Sequence, residues 1–317
     1  MIVGIDTSCY TTSLALLDTA GEIRLDSRKV LRVKSGQKGL RQSEAVFQHV
    51  QNLPQLLGED DTPSTVTLVI AAVLPRPVAG SYLPVFNVGA AFGATLAKIC
   101  GVPFLETSHQ EGHIRAGLYR QPFPEEPFLA WHISGGTTEL LLVKPAAGGF
   151  NITKIGGSSD LHAGQFVDRV GVALGAPFPA GPFLENLAAQ AGPQLKPVLP
   201  IAVDGNSLSF SGPASAAERL IRQGTAGSLV AWGVFDVISR SLWKVTLTAV
   251  SQYRINRVLL VGGVAANGLV RGFLASAGTA SGIQVLWGPP ELSSDNAVGV
   301  ALLGYDRLNR RNEELSK

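Results

Sequence analysis

The sequence predicts an α/β fold built from two similar halves, and three observations support this fold class. Short apolar strands alternate with helical patterns along the chain, which is typical of α/β proteins. The segments IDTSCYTTSLALL and ISGGTTELLLV share one order: a strand, a small polar turn, paired threonines and a second strand. A chain of 317 residues with 45% hydrophobic content is long enough for two domains. We therefore expect two lobes that each begin with the same hairpin.

The individual elements follow from local patterns. MIVGIDTSCYTTSLALLD predicts two strands joined by a polar turn, VTLVIAAVL a buried strand, and PVFNVGAAFGATLAKICG a helix that ends near Gly101. FLAWHISGGTTELLLVK predicts the second pair of strands, and the glycines of KPAAGGFN predict the next turn. RVLLVGGVAANGLVRGFLASAG predicts a strand, a glycine turn and a helix, and SSDNAVGVALLGYDRL a closing helix. We place the first lobe at 1–122 plus 296–317 and the second at 123–295.

Composition excludes several classes of protein. The sequence contains no run of about 18 apolar residues, so we expect no membrane span. Met1 leads directly into an apolar strand without the basic and apolar regions of a signal peptide. The two cysteines, Cys9 and Cys100, form no disulfide framework, so we expect a cytoplasmic protein.

One segment is basic although the whole chain has a net charge of only +2. Between residues 24 and 41 a single acid, Asp26, stands among seven basic side chains. These are Arg24, Arg28, Lys29, Arg32, Lys34, Lys38 and Arg41. The segment is interpreted either as a solvated loop or edge strand, or as a patch that contacts a phosphate backbone.

The stretch SHQEGH places two histidines four residues apart. Ser108 and Glu111 have the spacing of a capping box, which predicts a helix that begins near Ser108. His109 and His113 would then share one face, about 6 Å apart, and are interpreted either as a pair that holds one metal ion or as polar surface or core groups. Glu111 would lie roughly 200° around the helix from His109, so it is predicted to serve the cap. Zinc proteases need a glutamate directly after the first histidine, where this sequence has Gln110, and a protease is therefore disfavoured.

The two duplicated hairpin turns have the composition of phosphate-binding sites. Glycine, serine and threonine expose backbone amides and hydroxyls without bulky side chains, which suits a phosphate, although ordinary tight turns also use them. Further along, Gly262 and Gly263 follow a strand and allow close approach of a ring or ribose, and Asn267 near the next helix start can hydrogen-bond it. These features together predict a nucleotide site.

The order of these motifs resembles a known superfamily and one family within it. Two phosphate hairpins, a glycine-glycine turn and a final helix of small residues look like the actin, sugar-kinase and Hsp70 (ASKHA) superfamily. Within it, SHQEGH, ISGGTTEL, FPAGPFLE, SLSFSG, VGGVAANG and SSDNAVGVA resemble the TsaD (Gcp, YgjD) family in this order. That family makes the threonylcarbamoyl modification on tRNA adenosine and was long labelled O-sialoglycoprotein endopeptidase, or glycoprotease. The resemblance covers nearly the whole chain and implies two ribonuclease-H-like lobes around a nucleotide cleft.

The resemblance also implies specific site residues. It places one divalent metal ion, iron or zinc, on His109, His113 and Asp295. It implies an ATP- or AMP-type nucleotide or adenylate, with Asp168 at the ribose. The nucleotide-binding residues are Ser134, Gly135, Gly136, Gly164, Asp168, Gly181, Gly263 and Asn267. We also assign Asp6 and Ser8, in the first hairpin, as candidate catalytic residues. Implied partners are tRNA and subunits like TsaB and TsaE.

Several segments depart from the family pattern. The family's ETSCDET is DTSCYTT here, so Tyr10 and Thr11 replace two acids, and GEAFDK is GQFVDR, with Gln165 in place of glutamate. PRPVAGSYLP replaces a glycine-proline-glycine loop, and no lysine follows FSG. The pattern is that of a divergent paralogue. Three hypotheses remain: a metal-dependent transferase that passes a carbamoyl-type group from an adenylate to an amine, a catalytically weakened ATP-binding scaffold or ATPase, and a metallopeptidase.

Overall fold

The computed structural model describes residues 1–317 apart from 9, 34–39, 59, 62, 64, 193–195, 197, 316 and 317. Its strands are β1 (Ile2–Thr7), β2 (Thr11–Leu17), β3 (Ile23–Val30), β4 (Leu68–Leu74), β5 (Phe104–Ser108), β6 (Phe128–Ile133), β7 (Thr138–Ala146), β8 (Gly149–Ser158), β9 (Ala202–Asp204), β10 (Ser207–Ser209), β11 (Arg257–Val261) and β12 (Gln284–Trp287). Its helices are α1 (Gln42–Asn52), α2 (Phe86–Cys100), α3 (His109–Gly117), α4 (Ala163–Ala173), α5 (Gly181–Ala189), α6 (Ser211–Arg222), α7 (Gly227–Tyr253), α8 (Gly268–Ser281) and α9 (Val298–Leu315). Among these residues, no helix has the length and apolar character needed to span a membrane.

Unit 1 comprises Met1–Glu126, Lys144–Ile152 and Gly288–Lys317 and contains a five-stranded sheet. The strand order is β3-β2-β1-β4-β5, in which β1 pairs antiparallel with β2 and parallel with β4, and β4 pairs parallel with β5. The carboxyl ends of β1, β4 and β5 therefore meet at one edge of the sheet, where ligands bind in open α/β sheets. Asp295 belongs to this unit together with His109 and His113, whereas the predicted boundary puts it in the second lobe.

Unit 2 comprises Pro127–Val143 and Thr153–Trp287 and contains a seven-stranded sheet of order β12-β11-β6-β7-β8-β10-β9. Five of these strands, β8-β7-β6-β11-β12, repeat the order found in unit 1. Strand β6 pairs antiparallel with β7 and parallel with β11, as β1 does with β2 and β4. The β1–β2 and β6–β7 hairpins thus occupy equivalent places in the five-strand order that the two sheets share, and the predicted duplication is confirmed.

Both faces of the unit 1 sheet are covered by helices. On one face, alternate residues of β1 and β2, such as Val3, Ile5, Leu14 and Leu16, are buried in a cluster that partly buried residues of α2 complete. On the other face, α9 lies so close that a Cβ on Gly4 would be 2.7 Å from the Cβ of Ala301. The alternation follows from the two-residue period of a strand. Helix α2 ends at Cys100, and Gly101 caps it in the left-handed conformation, as predicted.

A close crossing of α3 and α9 joins two distant parts of the sequence in unit 1. A Cβ built on Gly299 would lie 1.8 Å from the carbonyl oxygen of Gly112, so only glycine permits this approach. Further along the two helices, Arg115 donates two hydrogen bonds to the buried carboxylate of Asp306, at 2.6 and 3.1 Å. A buried, bidentate pair of this kind fixes orientation as well as distance. The crossing therefore sets the position of the residues that flank α9 relative to those on α3.

We expect Gly299→Ala to destabilise the protein by about 1 to 3 kcal/mol, because the added methyl group forces two helix backbones apart. Gly272→Ala is the matched control, since Gly272 lies in α8 and its Cβ would meet no atom within 4 Å. The control should be neutral or stabilising by up to about 1 kcal/mol, as expected for alanine in a helix. Urea unfolding of the two variants measures both effects, and equal stability of the two would contradict the proposed contact.

Candidate metal and nucleotide site

The first turn of α3 is closed by the predicted capping box. The Ser108 hydroxyl accepts a hydrogen bond from the Glu111 backbone N–H at 3.2 Å, and one Glu111 oxygen accepts from the Ser108 N–H and hydroxyl at 3.0 and 2.8 Å. The same oxygen accepts from the Thr107 hydroxyl, and the second oxygen accepts from the Phe150 N–H. Glu111 is thereby committed to the cap, as the sequence predicts, and takes no place among the metal-binding side chains.

Two histidines and one aspartate in unit 1 have the geometry of a metal site. The rings of His109 and His113 lie edge to face with centroids 4.5 Å apart. Asp295 Oδ1 lies 3.2 Å from His113 Nε2 and 3.7 Å from His109 Nε2, and one ligand atom from each of the three residues lies within 4.8 Å of the others. Two imidazole nitrogens and a carboxylate oxygen are a donor set that suits zinc or iron. The three residues named from the sequence therefore come together in the fold.

Asp6, in β1, and Ser8, directly after β1, contact two of the candidate metal-site residues. Asp6 is 1% exposed, and its Oδ2 lies 2.7 Å from His109 Nδ1, which leaves Nε2 of that ring for a metal. The Ser8 hydroxyl donates to Asp295 Oδ2 at 2.8 Å, which leaves Oδ1 for a metal. Carboxylates that orient a ligating imidazole in this way are a regular part of metal sites. Both candidate catalytic residues thus contact candidate metal ligands directly.

The charges around the site favour a cation. Burial opposes protonation of His109, but the carboxylates of Asp6 and Asp295 outweigh it and raise the pKa of His109 to about 9. Burial would raise the pKa of Asp295, yet the hydrogen bond from His113 and the charge of His109 hold that pKa well below its ordinary value. A positive charge is therefore stabilised between the imidazoles and the carboxylates, and a divalent ion would take that place.

In unit 2, the turn between β6 and β7 is the second predicted phosphate hairpin. Gly135 and Gly136 are exposed, and a Cβ on either would meet no atom within 4 Å. The Ser134 hydroxyl accepts from the Gly136 N–H at 3.3 Å, while the Ser134 carbonyl accepts from the N–H of Gly164 at the start of α4. A Cβ on Gly164 would lie 2.6 Å from Gly135 Cα, so the turn and the helix start are in close contact. Such a turn presents its backbone to an anion.

Asp168 and Gly181 lie at a junction between α4 and α5. Asp168 is one helical turn beyond Gly164, and its Oδ1 accepts from the N–H of Ala180, directly before Gly181, at 2.7 Å. Burial raises the pKa of Asp168, although the hydrogen bond from Ala180 opposes the shift. From α5, the carboxylate of Glu185 accepts from the Gly268 N–H at 2.8 Å and so joins this junction to the start of α8.

The glycine turn after β11 lies beside the β6–β7 turn, because β11 and β6 are parallel neighbours. Gly262 has a φ of 97°, and a Cβ there would lie 2.4 Å from the Ile133 carbonyl oxygen. Around Gly263 the space is open, as expected where a ligand approaches the backbone. Asn267 caps α8 by accepting from the N–H groups of Leu269 and Val270, so its side-chain oxygen serves the helix.

The basic segment is partly paired within unit 1. Arg24 pairs with Asp18, Arg28 binds Asp26 and the Ser294 hydroxyl, and Lys29 donates to Gln55. Strand β3, which carries Arg24, Arg28 and Lys29, is an edge strand of the sheet. Lys34 and Lys38 lie outside the described residues.

Two long-range contacts near the candidate sites were not predicted from the sequence. His49 and Asn52 on α1 contact Thr12 in the first hairpin, and Glu185 on α5 contacts the start of α8. Each contact joins residues 37 or more positions apart, and no local pattern marks such a pair. The available signal for His49 was its spacing on α1. It follows Ala45 by four residues and so lies on the same, buried face of the helix.

Solved structures establish the fold class. The T. kodakarensis HypF structure aligns with 98% of this chain over 48% of the HypF chain. The identity is 15% and the TM-score is 0.57. A ROK family glucokinase from Streptomyces griseus, solved with glucose and AMPPNP, covers 98% of this chain and 99% of its own at 13% identity and a TM-score of 0.52. At this identity the likeness concerns the fold alone. The protein has the fold of the actin, sugar-kinase and Hsp70 superfamily, with two ribonuclease-H-like sheets.

Sequence relatives identify the family within that class. The family model TsaD, tRNA N6-adenosine threonylcarbamoyltransferase, matches residues 48–302. Proteins of that name from Moorella thermoacetica and Nitrosomonas eutropha are 32% and 31% identical and align with 98% and 99% of this chain. The alignments cover 92% and 94% of those relatives. The chain belongs to the TsaD family.

We expect Asp295→Asn to remove the metal, because the neutral amide is a poorer ligand and weakens the field that holds a cation. Elemental analysis of the purified protein should find about one zinc or iron per chain in the wild type and well under half of that in the variant. Glu111→Gln is the matched control, since Glu111 lies on the same helix as the histidines but serves the cap. It should keep the metal and lose about 1 to 2 kcal/mol of stability. Metal loss in Glu111→Gln would contradict the assigned ligands.

Proposed function

We propose that this protein transfers the threonylcarbamoyl group from threonylcarbamoyl-adenylate to the N6 amine of an adenosine in tRNA. The observation that carries the proposal is the site formed by His109, His113 and Asp295 and oriented by Asp6 and Ser8, within a chain of the TsaD family. In the reaction, the amine nitrogen forms a bond to the carbamoyl carbon. The bond from that carbon to the phosphate oxygen breaks, AMP leaves, and the amine loses one proton. No side-chain nucleophile is required.

Three side chains would hold the metal ion, and two would orient them. His109 and His113 would bind through Nε2, and Asp295 through Oδ1. When bound, zinc or iron would supply Lewis-acid stabilisation of negative charge on the adenylate. Asp6 keeps the Nδ1 of His109 hydrogen-bonded, and Ser8 fixes the second oxygen of Asp295. Both therefore preserve ligand geometry during transfer.

We further propose that unit 2 binds the adenosine part of the adenylate. Gly135 and Gly136 are exposed and carry no side chains, which supports close approach of a phosphate to this turn. The open backbone at Gly263 supports approach of the adenine ring or ribose. Asp168, half-buried near Gly181, has one carboxylate oxygen that bonds Ala180, and its second oxygen is the proposed acceptor for a ribose hydroxyl.

A second candidate function is an ATP-binding scaffold with weak hydrolysis. It is favoured by the replacement of acidic residues, since Tyr10, Thr11 and Gln165 occupy positions where the family pattern has acids. Gln165 has a local role, because its Oε1 accepts from the His162 N–H at the start of α4. The scaffold would bind ATP without transfer to tRNA. The metallopeptidase hypothesis receives no support from Glu111, which is committed to the cap.

The two functions differ in one measurement. Purified protein, loaded with zinc or iron and mixed with threonylcarbamoyl-adenylate and unmodified tRNA, should release AMP in proportion to modified adenosine. The His109→Ala, His113→Ala double variant should transfer at least about 100-fold more slowly, because it lacks both imidazole ligands. Glu22→Gln, an exposed carboxylate of unit 1 outside the donor set, should transfer at the wild-type rate. ATP binding with no modified tRNA, with partner subunits present, would support the scaffold.

We also propose that subunits like TsaB and TsaE assist this reaction in the cytoplasm, where the tRNA substrate is found. An apolar groove between α1 and α2 supports this proposal, because exposed apolar surface of this kind favours contact with another protein over contact with water. It has a volume of about 330 Å³ and is lined by Val50, Leu53, Pro54, Val88, Ala91, Phe92 and Thr95. Phe47, 61% exposed, lies three residues before Val50 on the same helix.

Phe47→Glu should weaken binding of a TsaB-like subunit by at least about tenfold, because a charge replaces an apolar contact. Leu247→Glu, at an exposed apolar position on α7 in unit 2, is the matched control and should bind normally. Sedimentation of mixtures of each variant with the TsaB-like subunit measures the affinity of each variant for that subunit. Equal weakening in both variants, or none in Phe47→Glu, would contradict the assigned surface.

A further inference from the structure

One cation of the basic segment is largely removed from solvent. The Nε and Nη2 atoms of Arg28 bind the two carboxylate oxygens of Asp26, with 2.8 Å between Nε and Oδ1. The two side chains are 19% and 24% exposed, whereas the side chain of Arg24, earlier in the same strand, is 59% exposed. Neither a solvated strand nor an open phosphate-binding patch accounts for the position of Arg28.

The strand register places Arg28 on the same face of the sheet as Asp6. Asp6 lies opposite Ser13 in the pairing of β1 with β2, and Ser13 lies opposite Arg28 in the pairing of β2 with β3. Residues directly opposite each other in neighbouring strands project from the same face. Gly4, two residues before Asp6, lies against α9, so this is the face that α9 covers. Arg28 therefore extends from the edge strand toward the segment that leads into α9.

Arg28 also holds the residue next to a candidate metal ligand. Its Nη1 donates to the Ser294 hydroxyl at 2.9 Å, and Ser294 directly precedes Asp295. Asp295 itself accepts from the Ser8 hydroxyl through Oδ2 at 2.8 Å. The backbone carbonyl of Ser294 accepts from Nδ2 of the buried Asn296 at 2.8 Å. Contacts from β3, from the residue after β1 and from within the segment thus converge on Ser294 and Asp295.

The pair with Asp26 gives the contact with Ser294 a fixed direction. A guanidinium that makes two parallel hydrogen bonds to a carboxylate is held in one plane, so its remaining nitrogen is aimed in one direction. Asp26 also offsets the charge of Arg28. A guanidinium without a paired carboxylate would disfavour a cation nearby, because like charges repel. The pairing therefore lets an arginine support a segment that carries a candidate metal ligand.

We propose that Arg28 is a positioning residue that holds Asp295 ready for the metal ion. Its bond to Ser294 limits the motion of the backbone that carries Asp295, so that Oδ1 already lies near the two histidines before the ion binds. The inference rests on the proposed function, in which Asp295 binds the metal. It gives one residue of the basic segment a task that charge alone does not indicate.

The test measures zinc affinity by competition with a chelator on the full-length protein. Arg28→Met keeps the apolar stem and loses the guanidinium, so it should bind zinc about tenfold more weakly, as is typical when a residue that orients a ligand is removed. Charge alone predicts the opposite result, because the variant loses a positive charge and leaves Asp26 unpaired. Arg28→Lys retains the charge without the planar fork and should also weaken zinc binding, by about three- to tenfold.

Two further variants control for a general loss of structure. Arg24→Met removes a cation of the same strand that pairs with Asp18, and it should bind zinc as the wild type does. Ser294→Ala removes only an exposed hydroxyl, so the fold should be kept while zinc binds about three- to tenfold more weakly. The double variant Arg28→Met, Ser294→Ala should lose little more than Arg28→Met, because the two residues share one interaction.

Zinc affinity in Arg28→Met that equals or exceeds the wild-type value would overturn the proposal, as would equal weakening in Arg24→Met. Additive losses in the double variant would overturn the role of the bond to Ser294. Absence of zinc binding in the wild type would overturn both the ligand assignment and the role of Arg28. A wild-type protein that binds zinc without modifying tRNA would refute the proposed function alone, and the zinc affinities of the variants would still decide the role of Arg28.

Discussion

The close crossing of α3 and α9 is the constraint on which the candidate metal site depends. His109 and His113 are far from Asp295 in the sequence, and the crossing brings α3 to the segment that precedes α9. Gly112 and Gly299 allow the two backbones to touch, and the buried pair of Arg115 and Asp306 fixes their rotation. A pair of this kind contributes more to a defined geometry than to stability, because its desolvation offsets much of its attraction. Small residues at the crossing and charges beside it therefore decide where the carboxylate meets the imidazoles.

Around His109, His113 and Asp295, unit 1 supplies further polar contacts from separate elements. Asp6 from β1 binds one histidine, Ser8 binds Asp295, and His49 from α1 holds the base of the turn between them. Each contact lies at or near the carboxyl edge of the parallel strands, where the backbone leaves the sheet. This edge is where one sheet can present several short polar segments to one ligand. Rigid strands thus position a site whose chemistry resides in the turns.

The duplication explains how one topology serves two tasks. Units 1 and 2 share the strand order and the hairpin of their first two strands, yet they carry different residues at the sheet edge. In unit 1 these residues are histidine and carboxylates, which suit a cation. In unit 2 they are glycines and Ser134, which suit the backbone recognition of an anion. The proposed transfer needs both, since the adenylate carries phosphate and the reaction develops negative charge.

The amino-acid sequence was enough to predict the fold class, the paired hairpins, the capping box at Ser108 and three candidate metal ligands. Those features depend on local periodicity, on turn composition or on the order of family motifs, all of which are read along the chain. The folded structure was needed to show that Asp295 lies in unit 1, that Asp6 binds His109 and that His49 contacts Thr12. Such contacts depend on which strands and helices become neighbours. Residue spacing carries no signal for them, because side chains 37 to 287 positions apart meet only after the sheet and its helices have packed.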